Sequence, residues 1–356
     1  MMPPINARHV CQRLQENNLP YARLQLQDDC FIIISERGGR VFGPFCADDD
    51  ESIFWINSAF ASAAAFRDFL DSGDWNMGGE RIWISPEIQF SVRDRTNFWG
   101  SIRTPSQMDP GAQVLRPAGK DRWEITQNMI LPAYNLASGQ KYLHLNKWIE
   151  PVKNPLRTLK AYKTLQSDVQ FVGYQQTVQL ASSGKEDIVS ESWNLLQVRP
   201  GGQMLIPTSP NPEYYDYFAS TDDRYISPQP WGLKLQISGE RQYKIGIPSA
   251  QTFGRLAYLN HLQDGRDYLI IRNYFNNPSA SYAEEPPDQI GQNGYAIHIY
   301  NDSGQFGGFG ELEVHGQTIG GDSGRSASID QFVLWFYLGA PAAIKKIALL
   351  LLGASI

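Results

Sequence analysis

Residues Tyr295–Gln317 read Y-A-I-H-I-Y-N-D-S-G-Q-F-G-G-F-G-E-L-E-V-H-G-Q. Two alternating runs flank a turn-rich centre, the pattern of a β-hairpin. The period of two puts Glu311, Glu313 and His315 on one face of the second run, with Leu312 and Val314 on the other. In the first run Ala296, His298 and Tyr300 share a face opposite to Tyr295, Ile297 and Ile299. If the two polar faces coincide, two carboxylates and two imidazoles meet within one hairpin. That is the material of an acid/base site, and it is equally the pattern of a sheet face open to water.

Outward from the hairpin the strand cadence continues. Upstream, Trp231–Ser238, Gln242–Ile247, Arg255–His261 and Tyr268–Phe275 recur at the spacing of a sandwich or barrel. The proline-bearing loop Asn276–Asn293 then delivers the chain to the hairpin, and downstream Ser328–Leu338 is a strand dense in apolar and aromatic residues. Earlier, Tyr21–Gln27, Cys30–Ser35, Ser52–Asn57, Asp121–Gln127, Leu165–Leu180 and Glu191–Val198 read as strands. Pro200–Gly202 reads as a hairpin-like connection to Gln203–Ile206. Pro207–Pro230, with five prolines and paired tyrosines, is a long surface excursion of the kind that often carries function. Helical periodicity is confined to Ile5–Asn18, to Ala59–Leu70 behind a Ser58 cap, and to Ala340–Leu352 stopped by Gly353. The class is all-β with helical trim. A single domain over 1–356 is expected, with an N-terminal helix within 1–20 and a C-terminal helix within 340–353.

Composition excludes several functions. Net charge is −6 and pI near 5.5, so a polyanion such as nucleic acid is repelled on average. Phe332–Leu338 and Ile347–Leu352 fall far short of the roughly 20 apolar residues a membrane span needs, so no membrane partner is expected. Cys11, Cys30 and Cys46 form no C-x-x-C pair; they predict no disulfide framework and fit a reducing compartment. With no secretory pattern at the N-terminus, the cytoplasm is the expected location. Nothing in the sequence specifies an oligomeric state.

Trp75–Phe90 is the second informative stretch. Its strand sends Arg81, Trp83 and Ser85 to one face, and an Arg beside a Trp resembles a clamp for a sugar ring; a buried Arg paired with Glu80 or Glu87 fits equally well. Other motifs are set aside. Gly304–Gly310 is glycine-rich but leads into a strand, whereas a phosphate cradle needs a helix N-terminus. No G-x-S-x-G elbow is present. Glu311, Glu313 and His315 lie on one strand face, but alternate residues of a flat strand rarely aim at one metal ion, so neither metal nor cofactor is expected. The two glutamates stand about 6.5–7 Å apart along the strand, which falls within the span of about 5–10 Å used by glycosidases and discriminates nothing.

Four segments resemble motifs of uncharacterised members of the galactose mutarotase-like superfamily. They are N-M-G-G-E-R-I-W-I-S-P-E (Asn76–Glu87), S-W-N-L-L-Q-V-R-P-G-G (Ser192–Gly202), K-I-G-I (Lys244–Ile247) and Y-N-D-S-G-Q-F-G-G-F-G-E-L-E-V-H-G (Tyr300–Gly316). The resemblance implies a β-supersandwich with a carbohydrate or sugar derivative on its concave face. It also implies aldose 1-epimerase-like chemistry, in which a Glu acts as base on the anomeric hydroxyl and a His protonates the ring oxygen. By motif position Glu313 matches that base, with Glu311 as alternate. His298 is the geometric choice of acid, whereas His144 and His261 better match a His drawn from earlier strands. No N-H-x-x-F-N-type motif is present. The resemblance raises Arg81 and Trp83 as substrate-side residues, with Glu87, Arg272 and His315 added. Sugar binding without catalysis, and glycan cleavage by hydrolysis or elimination, are the alternative readings.

Overall fold

The hairpin expected from the alternation is present. Tyr295–Asn301 pairs antiparallel with Gly310–His315, His298 opposite Glu313 and Tyr300 opposite Glu311. Residues directly opposite in an antiparallel pair share a face, so the two polar sides coincide. These relations come from a computed structural model that describes residues 5–160, 162–184 and 187–356.

The hairpin is central in a nine-stranded sheet. Its order is Tyr21–Gln25, Phe31–Ser35, Val41–Phe45, Glu80–Ser85, Glu191–Val198, Gly310–His315, Tyr295–Asn301, Tyr243–Pro248 and Tyr215–Asp216. A ten-stranded sheet runs Ile226–Gln229, Gly232–Gln236, Gln203–Pro207, Arg255–His261, Asp267–Tyr274, Ala327–Gly339, Val169–Ser182, Gly139–Pro151, Trp123–Ala133 and Val114–Pro117. The strand pairings are antiparallel, so the expected all-β sandwich is the fold observed.

Period two decides what each strand gives to which side. The even-numbered Ile82, Ile84, Leu196, Leu312 and Val314 enter the layer between the sheets, where Leu145, Val178, Ile270 and Leu334 meet them. Part of the outer face of the ten-stranded sheet is covered by the helix Pro341–Leu352, whose Ile344, Ile347 and Leu351 pack with Leu269, Ile271 and Tyr337. Gly353 closes that helix in the left-handed region at φ 68°, the conformation its lack of a Cβ makes cheap. On the outer side of the nine-stranded sheet, helices Ala7–Glu16 and Ala63–Asp71 bury Phe31, Ile33 and Phe42 of the first strands. The remaining strands turn that face to a cavity.

Four local expectations are corrected. The helix expected over Ala59–Leu70 is divided: Asn57 caps a short 3-10 turn at Ser58–Ala61, and Ser62, in extended conformation, caps the helix Ala63–Asp71 by accepting from the Ala65 N–H. A serine hydroxyl that can satisfy a helix-start N–H competes with helix continuation at that point. Ser52–Asn57 forms only isolated bridges, Phe54 with Val198 and Ile56 with Gly78. Glu191–Val198 and Gln203–Pro207 are not a hairpin; the chain through Pro200–Gly202 crosses from one sheet to the other. Finally, Cys30 and Cys46 form a disulfide. They flank Phe31 and Phe45, which the antiparallel register sets opposite each other, a proximity that sequence spacing does not reveal.

Candidate functional site

Five neighbouring strands present one face to a cavity of about 780 Å³. Register brings the odd-numbered residues of two of them into line: Arg81 lies opposite Leu195, and Trp83 opposite Trp193. Glu313 is opposite Leu195 on its other side, and His315 opposite Trp193. Tyr300 lies opposite both Glu311 and Lys244, which carries the row to the edge of the face. Arg81, Trp83, Trp193, Lys244, Glu311 and Glu313 all line the cavity.

The charges on this wall are arranged as two groups. Arg81 Nη1 donates to Glu311 Oε1 at 2.8 Å, and its guanidinium lies 4.1 Å from the Trp83 ring centre and 5.0 Å from that of Trp75. Lys244 Nζ sits 3.2 Å from Glu313 Oε2 and 3.5 Å from Glu87 Oε2. Burial works against the ammonium, but Glu313, Glu87 and Glu284 more than offset it and raise its pKa. Burial pushes the Glu313 carboxyl up to about 7, Lys244 pulling it down and Glu311 adding to the rise. Burial likewise pushes Glu284 up to about 8 against the pull of Lys244. Burial is the larger cause of both rises, and the neighbouring carboxylates add to it.

Three residues of the cavity lining carry buried polar atoms without hydrogen-bond partners. The atoms are Arg81 Nε, Trp193 Nε1 and Glu313 Oε2. The ammonium near Glu313 Oε2 supplies charge at 3.2 Å without the alignment of a hydrogen bond. Buried polar groups are ordinarily satisfied, so such atoms on a cavity wall mark a surface equipped to bind a polar molecule.

The two hairpin histidines are engaged with each other beside this wall. His298 Nδ1 lies 2.8 Å from His315 Nε2, His298 Nε2 lies 2.7 Å from the Tyr217 hydroxyl, and His315 Nδ1 lies 2.9 Å from Ser85 Oγ and 3.4 Å from Glu191 Oε2. Ser85 Oγ donates to Glu191 Oε2. One set of tautomers satisfies the row: Tyr217 donates to His298, His298 to His315, and His315 to Ser85. Burial lowers the pKa of both imidazoles, and each is further lowered by positive charge on Lys244, so they are neutral near pH 7.

The expected site residues therefore separate. Glu313, Glu311, Arg81, Trp83 and Glu87 line the cavity. His298 and His315 are fully buried and absent from its lining. Arg272 is corrected outright: it projects between the two sheets, wholly buried, and pairs with Glu80. Its strand belongs to the other sheet, which the resemblance that suggested Arg272 did not reveal. The three residues Glu311, Glu313 and His315 go to different partners, and among the described residues no His/Cys/Asp/Glu group is arranged to hold a metal ion. Two other histidines lie outside the cavity: His144 binds Asn128 on an exposed strand face, and His261 pairs with Asp267.

Sequence reasoning missed Lys244, although it stands as a lone cation in the apolar run Tyr243–Ile247. It also missed the aromatic rim. Phe218, carried by the proline-rich excursion, contacts Trp99 at 4.7 Å and Phe98 at 6.1 Å between ring centres, and all three line the cavity. Tyr217, next along the same excursion, packs edge-on to His298 at 4.7 Å.

Residues 10–356 match the model of the Family of unknown function (DUF6786). The chain belongs to that family. No curated protein matches this member of the family. Its shape is similar to several solved structures. A candidate aldose 1-epimerase from Escherichia coli K12 shares 11% identity at a TM-score of 0.49, over 90% of this chain and 98% of the other. A galactose mutarotase-like protein from Lactobacillus casei ATCC 334 shares 11% identity at 0.45, over 90% and 100%. A galactose mutarotase related enzyme from Lactobacillus acidophilus shares 9% identity at 0.43, over 90% and 97%.

Proposed function

We propose that this DUF6786 member binds a carbohydrate in the cavity and that Glu313 exchanges a proton with it at the anomeric centre. The observation that carries this reading is the wall on which Arg81 Nε, Trp193 Nε1 and Glu313 Oε2 are buried without hydrogen-bond partners, in a cavity that the apolar rings of Phe98, Trp99 and Phe218 also line. Sugars combine an apolar ring face with outward hydroxyls, and such a wall answers both.

A carboxyl raised to about 7 is suited to take a proton and return it near neutral pH. In the proposed step Glu313 removes the anomeric hydroxyl proton while Lys244 delivers a proton to the ring oxygen. The bond from the anomeric carbon to that oxygen breaks, giving the open-chain aldehyde. Re-closure on the opposite face of the carbonyl reverses both transfers and gives the other anomer. His298, the acid expected from the sequence, is replaced in this scheme because its ring nitrogens are occupied by His315 and Tyr217.

Binding without turnover is the second reading. It is favoured by the absence of both hairpin histidines from the cavity lining. Saturation-transfer NMR on a panel of aldoses separates the two: anomer interconversion that rises with protein concentration and is lost in Glu313→Gln supports the epimerase reading. Binding with no interconversion supports the second, and new reducing ends or unsaturated products would indicate glycan cleavage. We read residues 5–356 as one domain. No described helix is long and apolar enough to cross a membrane. The expected cytoplasmic location stands against the Cys30–Cys46 bridge, which fits an oxidising compartment.

A further inference from the structure

The glycine-rich segment Gly304–Gly310 leads into the strand Gly310–His315, and its shape shows a use. It winds around its own acidic residue: Asp302 Oδ2 accepts the N–H groups of Gly304, Phe306 and Gly308 at 3.0, 3.0 and 2.8 Å. Tyr300, on the cavity wall, donates to Asp302 Oδ1 at 3.2 Å. The loop is further pinned by Asn76, whose Nδ2 donates to the Phe306 carbonyl at 3.1 Å. Gly307 has to be a glycine, since a Cβ there would stand 2.3 Å from the Trp55 ring. The loop is thus a fixed rib.

That rib borders two cavities. Gln305 and Phe306, with Trp75 facing them, line both the 780 Å³ cavity and a second hollow of about 350 Å³. Both volumes lie in the range of about 300–1,000 Å³ over which proteins bury small ligands. Gln305 is exposed and Phe306 is 44% exposed, so the partition is reachable from solvent. The second hollow repeats the first in kind, with the ring of Trp55 accompanied by Asn57, Ser58, Asp74 and Asn76. Trp55 is braced against Phe309 at 4.8 Å, and Phe309 lines the first cavity. The second hollow also differs in charge: no lysine or arginine lines it among the described residues, and Asp74 opposes an anion.

We propose that the ligand is a neutral oligosaccharide laid across the rib. One ring lies on the wall of Trp83 and Glu313, and the next passes over Phe306 onto Trp55. This rests on the carbohydrate reading above and narrows it from a free monosaccharide to a chain of at least two uncharged rings. The rib Asp302–Phe309 then sets the spacing between the two binding positions.

Calorimetry with glucose and galactose, and with their α-1,4- and β-1,4-linked disaccharides and trisaccharides, tests the proposal. A disaccharide of fitting linkage is expected to bind about tenfold tighter than its monosaccharide, the gain that one further aromatic contact supplies. Trp55→Ala is expected to erase that gain and leave monosaccharide affinity unchanged. Ser58→Trp, at an exposed position, fills the hollow without touching the core and is expected to do the same. Equal affinity for one ring and for longer chains, or a gain that survives both variants, would overturn the proposal while sparing the carbohydrate reading. Failure of every saccharide to bind would overturn both.

Discussion

Glu80 and Arg81 are neighbours on one strand and live in different chemical worlds. Glu80 points between the sheets, where it pairs with Arg272 and accepts from the Asn194 side chain at 2.7 Å and from the Tyr174 hydroxyl, all four residues fully buried. Arg81 points the other way, pairs with Glu311 and lines the cavity. The residue types and the bond are the same. What differs is the medium behind them: packed apolar side chains for the first pair, a cavity open to small polar molecules for the second. The first pair is expected to act on stability and the second on ligand binding.

The largest expected effect breaks the inner pair. Glu80→Ala leaves the Arg272 guanidinium buried and uncompensated, and a loss of about 3–5 kcal/mol is expected in urea unfolding. Arg81→Ala should cost clearly less, about 1–3 kcal/mol, because the Glu311 carboxylate it abandons faces the cavity and can be hydrated. It should also weaken ligand binding measured by calorimetry. Equal losses of stability in the two variants would dissolve the distinction.

A smaller effect concerns pH. The Glu313 and Glu284 carboxyls are raised by burial above the ordinary 4.5, to about 7 and about 8. Their contribution to stability is full below the ordinary value and is lost as pH rises through the folded values. The depressed His298 and His315 act in the opposite sense: their contribution is present above 6.5 and is lost as pH falls below it. Thermal melting across pH should therefore show decline on both sides of a maximum. Glu284→Gln should flatten the alkaline limb, and an unchanged alkaline limb in that variant would remove Glu284 from the account.

The smallest expected effect is at Tyr217. Replacing it with Phe removes one hydrogen bond to His298 and should cost about 1 kcal/mol in chemical unfolding, with ligand affinity retained. A large loss of affinity instead would mean that the buried histidine row takes part in binding.

The legible part of this molecule is what alternation controls. The hairpin, and the facing of the residues within each of its two runs, follow from a period of two; that the two polar faces coincide is settled by the pairing of His298 with Glu313 and of Tyr300 with Glu311. The opposite facing of Glu80 and Arg81 also follows from a period of two. Which sheet a strand joins does not follow from its pattern, and Arg272, added to the site on the resemblance alone, lies between the sheets with Glu80. Burial of an imidazole by a distant loop is equally silent: Tyr217 reaches His298 across 81 residues of sequence. The aromatic rim comes from the single helical turn Phe98–Ser101 and from the loop that carries Phe218, both too short for a periodicity to set side-chain directions. Lys244 could have been found, since a lysine alone in a buried apolar strand requires a carboxylate partner. The Cys30–Cys46 bridge depended on a strand pairing that had to be seen in space.

The proton-exchange role of Glu313 is tested most directly by NMR measurement of anomer interconversion as a function of pH in the native protein and in Glu313→Gln. The expected result is a protein-dependent rate that rises through about pH 7, as the carboxyl with its raised pKa ionises. In the variant that rate should fall by about 10²–10⁴-fold, with the fold and sugar binding retained. A rate in Glu313→Gln equal to that of the native protein would contradict the assignment.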